Sequence, residues 1–91
     1  MKKRVHVWVY GVVKGVFFRA SIKEMADKLN IKGFARNSDE GVEAVFEGNS
    51  ADIEKMIEFC KKGPKYAQVV RTEVQDENYA AEFSKFKILH F

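Results

Sequence analysis

The chain has 91 residues, of which 46% are hydrophobic and 32% charged, so it can form one domain with one core but has no room for a separate cofactor domain. Its net charge of +3 favours small anions as ligands and is too diffuse to indicate nucleic acid. The single cysteine, Cys60, excludes an internal disulfide, and no segment approaches the roughly 20 apolar residues that cross a bilayer. Because the N-terminus carries no apolar targeting run, we expect one cytoplasmic domain over residues 1–91.

The first half of the chain predicts a strand, a helix and a hairpin. Valines alternate with polar and aromatic side chains over residues 5–10, a period of two that indicates a strand with one valine face. Apolar residues three and four apart then predict a helix over about residues 19–30. Short strands at 31–35 and 42–47 flank the turn-forming residues 37–41, an arrangement typical of a hairpin.

The second half predicts another helix and one or two strands. The helix is expected to begin at Asn49 or Ser50, both good N-caps, and to end at Gly63, whose freedom in φ suits a helix C-terminus. Strands are predicted at 67–75 and 85–90. The order β-α-β-β-α-β, with the last strand single or split into a fifth, predicts an α+β fold. This fold is a ferredoxin-like two-layer sandwich, in which two helices lie on one face of an antiparallel sheet.

The stretch between the first strand and the first helix has the features of a phosphate site. Gly11 and Gly15 let the backbone take positive φ and approach a ligand closely. Turn N–H groups that end at a helix N-terminus have no partners, and the helix dipole favours negative charge there. Arg19 adds a planar fork of donors that matches phosphate oxygens. Taken singly, the glycines are explained more simply by a tight turn, and Arg19 by a surface salt bridge.

The same stretch resembles the signature of the acylphosphatase family, commonly written G-x-V-Q-G-V-x-F-R. The matching residues are Gly11, Val13, Gly15, Val16, Phe18 and Arg19. Lys14 stands where the family has glutamine. Residues 33–42 look like the family's second pattern, and residues 63–69 and 86–88 follow it as well, so the resemblance covers nearly the whole chain.

The resemblance implies the same fold and an enzyme that hydrolyses acyl phosphates to a carboxylate and inorganic phosphate. It implies that loop N–H groups and the Arg19 guanidinium bind the phosphoryl group, and that the Asn37 side chain holds the attacking water. The loop residues expected to bind phosphate are Lys14, Gly15, Val16, Phe17, Phe18 and Arg19. The expected partners are a small-molecule acyl phosphate and inorganic phosphate, as product and inhibitor. We expect no nucleic acid or membrane partner, and a monomer.

The sequence predicts a reaction that needs neither a metal nor a cofactor. It holds one cysteine, and His6 and His90 stand near opposite ends of the chain without metal-ligand spacing. Acyl phosphates carry a good leaving group, and phosphoryl transfer passes through a loose transition state, so positioning and charge stabilisation supply most of the rate. Other residues are expected to serve side-chain packing only: Val13, Val16, Phe18 and Cys60.

Three departures from the family pattern bear on the site. The Lys14 ammonium either strengthens phosphate binding, slows release of phosphate, or points to solvent and does neither. The turn after Asn37 is one residue shorter than in many relatives, and a displacement near 1 Å can lower a rate by about 100-fold. His90 replaces a common tyrosine at a position where it is expected to affect packing or an edge only.

Two other functions are compatible with the sequence. The first is an RNA-binding module of the same fold class, because Trp8 and Tyr10 are expected on the open face of the sheet and residues 32–35 match the first half of an RNA-recognition octapeptide. Arg36, Asn37 and Asp39 break the rest of that match. The second is a non-catalytic phosphate-binding or regulatory domain, for which an asparagine that holds water has no purpose.

Overall fold

A computed structural model describes residues 1–90 and has the predicted element order, with a fifth strand. The elements of this part of the chain are β1 (Lys2–Val12), α1 (Phe18–Lys28), β2 (Lys32–Asn37), β3 (Gly41–Asn49), α2 (Ser50–Lys62), β4 (Gln68–Glu77) and β5 (Phe86–Leu89). The sheet order is β4-β1-β3-β2-β5. Strand β1 pairs antiparallel with β3 and β4, and β2 pairs antiparallel with β3. Strand β5 pairs parallel with β2, so the sheet is mixed, and the prediction of an antiparallel sheet is wrong at this pairing, because the segment after β4 crosses the sheet and brings β5 alongside β2 in the same direction.

Both helices pack on one face of this sheet, which confirms the predicted two-layer sandwich. The valine face of β1 lies beneath them, because Val5, Val7 and Val9 are at most 1% exposed. Helix α1 contributes three buried side chains and α2 four, and these are Phe18, Ile22, Ala26, Ile53, Met56, Ile57 and Cys60. Burying a large apolar side chain contributes roughly 1.5–3 kcal/mol, so this layer is the main source of stability.

The predicted packing residues are confirmed. Val13 and Phe18 are buried in the core, and Val16 packs partly against it. Cys60 is fully buried between α2 and the sheet, and burial raises the pKa of its thiol to about 12. A thiol in that state is not a nucleophile at neutral pH, because the thiolate is the reactive form.

The chain between β4 and β5 crosses the face of the sheet that the helices leave open. The buried side chain of Glu47, on β3, fixes this crossing: its Oε1 accepts the N–H of Glu82 and its Oε2 accepts the N–H of Ala80, both at 3.0 Å. Arg4 Nη1 lies 3.4 Å from Glu47 Oε2. Every polar group within reach of this carboxylate is therefore a donor, and the crossing segment delivers β5 to the edge beside β2.

Replacing Glu47 by glutamine is expected to destabilise the fold. The amide NH2 of the glutamine would face a donor where the carboxylate oxygen accepted, so Glu47→Gln should lower the free energy of unfolding by about 2 kcal/mol. Urea denaturation followed by circular dichroism measures this. Glu58→Gln is the matched control, because Glu58 is exposed on α2 beside Lys61, and its effect should stay within about 0.5 kcal/mol. Equal effects of the two substitutions would contradict this role of Glu47.

Candidate active site

The loop between β1 and α1 begins at a bulge that only glycine fits. The register between β1 and β4 shifts between Tyr10 and Gly11. Gly11 has φ of 131°, and a Cβ added there would lie 2.2 Å from the carbonyl oxygen of Gln68. The bulge lets the two backbones approach and turns the end of β1 out of the sheet. The first glycine of the predicted phosphate site is therefore structural.

The loop then enters α1 through two residues with left-handed backbone. Gly15 has φ of 72°, and Phe17, the N-cap of α1, has φ of 62° and ψ of 25°. For a residue with a side chain, the left-handed conformation costs roughly 1–2 kcal/mol, so its occurrence at Phe17 requires an explanation. Nothing lies within 4 Å of a Cβ added at Gly15, so this glycine is needed for its backbone angle and not for space.

The N-terminus of α1 is free to bind an anion. Its N-cap makes no side-chain hydrogen bond, and the first turn carries no acidic residue. The first intrahelical bond runs from the N–H of Ser21 to the carbonyl of Phe17, at 2.9 Å. The N–H groups before Ser21 have no intrahelical acceptor, and they lie at the positive end of the helix dipole.

A cavity of about 340 Å³ lies beside this helix end. The residues that line it come from the loop, the first turn of α1 and the end of β5, and they are Val13, Gly15, Phe17, Phe18, Arg19, Ala20, Ile88 and His90. Four of the predicted loop residues thus line one space. Lys14 and Val16 belong to the same loop but do not line it. The Lys14 ammonium donates to the carbonyl of Asp39 at 3.2 Å, so it ties the loop to the β2–β3 turn.

A second cavity of about 330 Å³ brings Arg19 and Asn37 together, and Leu89 and His90 complete its lining. Arg19 Nη1 donates to the carbonyl of Leu89 at 3.4 Å, which orients the guanidinium from the side of β5. Arg19 and His90 line both cavities, so the two spaces adjoin at these two residues. The two residues predicted to be catalytic are therefore neighbours of one site.

The Asn37 amide has an unused polar end. Its Oδ1 is buried and has no hydrogen-bond partner within the described residues. Rotating the amide by 180° exchanges its oxygen and its nitrogen. In either orientation, the polar atom at this position has no hydrogen-bond partner within the described residues. A buried polar group without a partner is destabilising by about 1–3 kcal/mol, so this atom is an exception to the usual pairing of buried polar groups in native proteins.

The hairpin that carries Asn37 closes regularly despite its short turn. The N–H of Ser38 donates to the carbonyl of Gly41 at 2.8 Å, and Asn37 pairs with Val42 across the hairpin. A Cβ added at Gly41 would lie 1.9 Å from the Val9 carbonyl oxygen, so glycine permits the close approach of β3 to β1. These contacts fix the end of β2 on which Asn37 lies.

A polar network on the open face holds the same hairpin beside the site. Arg36, next to Asn37, pairs with Glu43 Oε1 at 2.6 Å, and His6 Nε2 lies 2.6 Å from Glu43 Oε2. Burial raises the pKa of Glu43, but hydrogen bonds from His6 and Arg36 outweigh it and hold that pKa below its ordinary value of 4.5. His6 Nδ1 lies 3.2 Å from Glu77. Strands β2 and β3 are thus joined by the ion pair of Arg36 with Glu43 as well as by backbone bonds.

The aromatic residues on the open face are partly exposed, as expected, but they are engaged within the protein. Trp8 stacks on His6, with ring centroids 4.0 Å apart and planes 9° apart. Tyr10 donates to Glu73 at 3.0 Å and lies under the Arg71 guanidinium, 4.3 Å from its ring centroid. Carboxylates beside these rings repel a phosphate backbone, so this face does not resemble a nucleic-acid platform.

His90 lines both cavities, a location that sequence reasoning did not give it, and the expectation that its replacement of tyrosine affects packing or an edge only stays a prediction. The parallel register of β2 and β5 pairs Ala35 with Ile88 and Arg36 with Leu89, which brings His90 to the level of Asn37. Nothing in the local sequence around His90 indicates this, because it depends on which strand β5 joins and in which direction.

Residues 1–90 hold no group of three or more His, Cys, Asp or Glu side chains placed to bind a metal ion. None of the helices in this part of the chain is long and apolar enough to span a membrane.

The fold and the geometry define a class of protein: a small ferredoxin-like α+β domain in which an uncapped helix N-terminus, an arginine and an asparagine lie at two adjoining cavities. The family model of acylphosphatase matches residues 5–88. The chain therefore belongs to the acylphosphatase family, and it is an enzyme that hydrolyses acyl phosphates.

Individual relatives agree in sequence and in structure. An acylphosphatase of Syntrophus aciditrophicus (strain SB) is 46% identical over 91 residues, which cover 99% of this chain and 95% of that protein. The solved acylphosphatase of Coxiella burnetii matches with a TM-score of 0.91 at 30% identity, over 97% of this chain and 93% of the other. Full-length HypF, solved in a phosphate- and nucleotide-bound form, matches with a TM-score of 0.89 and 29% identity over 98% of this chain, but only 12% of the HypF chain is involved.

Proposed function

We propose that Arg19 and the loop N–H groups bind the phosphoryl group of the acyl phosphate, and that Asn37 positions the water that attacks it. The observation that carries this assignment is that Arg19 lines two adjoining cavities, one lined by the loop and the other by Asn37. The phosphate-binding backbone is the loop predicted from the sequence, residues 14–19.

The charge of the site suits a phosphoryl group. The free N–H groups at the start of α1 and the positive end of its dipole attract phosphate oxygens, and no carboxylate in the first turn opposes them. The Arg19 guanidinium supplies a full positive charge and two parallel donors. Since negative charge is spread over the phosphoryl oxygens in the transition state, donors fixed before the reaction lower its barrier without reorganisation.

The chemistry needs a positioned water more than a strong base. An acyl phosphate dianion and water give a carboxylate and dihydrogen phosphate: the water oxygen bonds to phosphorus, the bond from phosphorus to the acyl oxygen breaks, and both water protons end on phosphate. The carboxylate is a good leaving group, so little proton removal is needed before the transition state. Asn37 lines the second cavity beside Arg19, which supports its role as the group that orients this water.

Lys14 is assigned a structural role in this scheme. Its ammonium is bonded to the carbonyl of Asp39, which favours a link between the loop and the β2–β3 turn over direct contact with phosphate through the side chain. The link joins the segment proposed to bind phosphate to the hairpin that carries Asn37.

Removal of the Arg19 guanidinium should nearly abolish turnover. Loss of one neutral oxyanion donor lowers a rate by about 100- to 1,000-fold, and Arg19→Ala removes charge as well as donors, so kcat/KM for benzoyl phosphate should fall by more than about 1,000-fold. Hydrolysis is measured in excess EDTA, and wild-type turnover should persist there because no metal is required. Arg71→Ala is the matched control, since Arg71 stacks on Tyr10 and lines neither cavity, and its activity should equal that of wild type.

Three results would contradict this assignment. Full activity of Arg19→Ala would remove the anchor from the scheme, and loss of wild-type activity in EDTA would remove its metal independence. A wild-type protein that binds inorganic phosphate but hydrolyses no acyl phosphate would be a phosphate-binding or regulatory domain.

Asn37→Ala should separate chemistry from binding. Without the amide the water is not oriented, so kcat should fall by about 100-fold, whereas the inhibition constant of inorganic phosphate should change by less than about threefold because Arg19 and the loop remain. Asn78→Ala, an exposed asparagine of the crossing segment, is the control and should leave both quantities unchanged. Unchanged kcat in Asn37→Ala would show that another group holds the water.

We further propose that the enzyme is a single-domain cytoplasmic monomer. Both edge strands carry charged side chains, Arg71 and Glu73 on β4 and Lys87 on β5, and charges on edge strands disfavour pairing with a second sheet. The free thiol of Cys60 is compatible with a reducing compartment. Light scattering after gel filtration should give the mass of one chain, 10.5 kDa, and a dimer mass would contradict the monomer.

A further inference from the structure

Phe17 is a large apolar side chain in an unfavourable place. It is 79% exposed, its backbone is left-handed, and it occupies an N-cap, where a residue with a side-chain acceptor is preferred. The exposed ring, the left-handed backbone and the missing side-chain cap at Phe17 each lower the stability of the folded protein. Residues that break several local rules at once mark functional positions in otherwise consistent proteins.

The position of Phe17 gives it a candidate ligand. It lines the first cavity together with the large apolar residues Val13, Phe18 and Ile88, whereas the described residues that line the second cavity are Arg19, Asn37, Leu89 and His90. The two cavities share Arg19, the proposed anchor of the phosphoryl group. The first cavity therefore offers more apolar side chains to a ligand at Arg19 than the second does.

Phosphoryl transfer places the attacking water and the leaving group on different sides of the phosphoryl group. The attacking and leaving oxygens lie roughly in line on opposite sides of phosphorus. With the water held by Asn37 in the second cavity and the phosphoryl group at Arg19, the first cavity, which adjoins the second at Arg19 and His90, is the space open to the leaving carboxylate and its acyl group. The side chain that they meet at its exposed rim is Phe17.

We propose that Phe17 contacts the acyl group and makes this enzyme selective for acyl phosphates with an aromatic or other large apolar acyl group. The inference rests on the proposed function, because it takes the placement of phosphate and water from Arg19 and Asn37. The phenyl ring covers one face of the acyl group and excludes water from it. An acetyl group is too small to gain much from this contact, and a benzoyl group gains both buried area and ring-to-ring contact.

The test is the ratio of kcat/KM for benzoyl phosphate to that for acetyl phosphate. Any effect of a substitution at Phe17 on the loop N–H groups acts on both substrates and cancels in this ratio. Phe17→Asn removes the ring and suits a left-handed backbone, and Phe17→Leu keeps apolar bulk without the ring. Tyr79→Asn is the matched control, because Tyr79 is an exposed aromatic residue of the crossing segment and lines neither cavity.

Wild type is expected to prefer benzoyl phosphate, and Phe17→Asn should lower the benzoyl-to-acetyl ratio by about tenfold, the size expected for loss of a partly exposed aromatic contact. The change should appear mainly in KM, because the ring contacts the acyl group before and during the reaction. Phe17→Leu should give an intermediate ratio, and Tyr79→Asn the wild-type ratio.

Two results would overturn the inference, and they differ in whether the proposed function is overturned as well. A ratio unchanged in both Phe17 variants, with hydrolysis intact, overturns the acyl contact and leaves the proposed function standing. Absence of wild-type hydrolysis of either compound overturns the proposed function and this inference with it.

Discussion

The site depends on one local constraint, the left-handed backbone at Gly15 and Phe17 that joins β1 to α1. It turns the chain so that the helix starts without a side-chain cap and with its first N–H groups free. A conventional N-cap at residue 17 would stabilise the helix by about 1 kcal/mol and would occupy a donor that an anion can use. The helix end lacks this stabilisation, and the buried core beneath the same helix compensates for it.

The site also requires that segments distant in sequence meet at Arg19. Strand β2 delivers Asn37, and β5 delivers the Leu89 carbonyl that orients the guanidinium. Strand β5 reaches its place only because the preceding segment crosses the open face, where the buried carboxylate of Glu47 accepts two of its N–H groups. Stability on the open face and geometry at the site are therefore linked through β5, although Glu47 does not line either cavity.

The sequence was sufficient for the elements and for the site loop. Alternation in β1 and the three-to-four spacing in α1 follow from which faces must be buried, so the periodicity predicted both. The glycines predicted the loop because residues with a side chain rarely adopt their backbone angles, and this holds at Gly11 and Gly15. The contacts of Lys14 and His90 could not be predicted in this way. Each depends on a segment distant in sequence: the β2–β3 turn for Lys14, and the parallel pairing of β5 with β2 for His90.

The most direct test of this account is a crystal structure of the protein with inorganic phosphate bound. The account predicts a phosphate where the two cavities meet, with its oxygens on the N–H groups at the start of α1 and on the Arg19 guanidinium, and with a water between phosphorus and the Asn37 amide. A phosphate bound elsewhere, with this helix end and Arg19 left to solvent at saturating concentration, would contradict it.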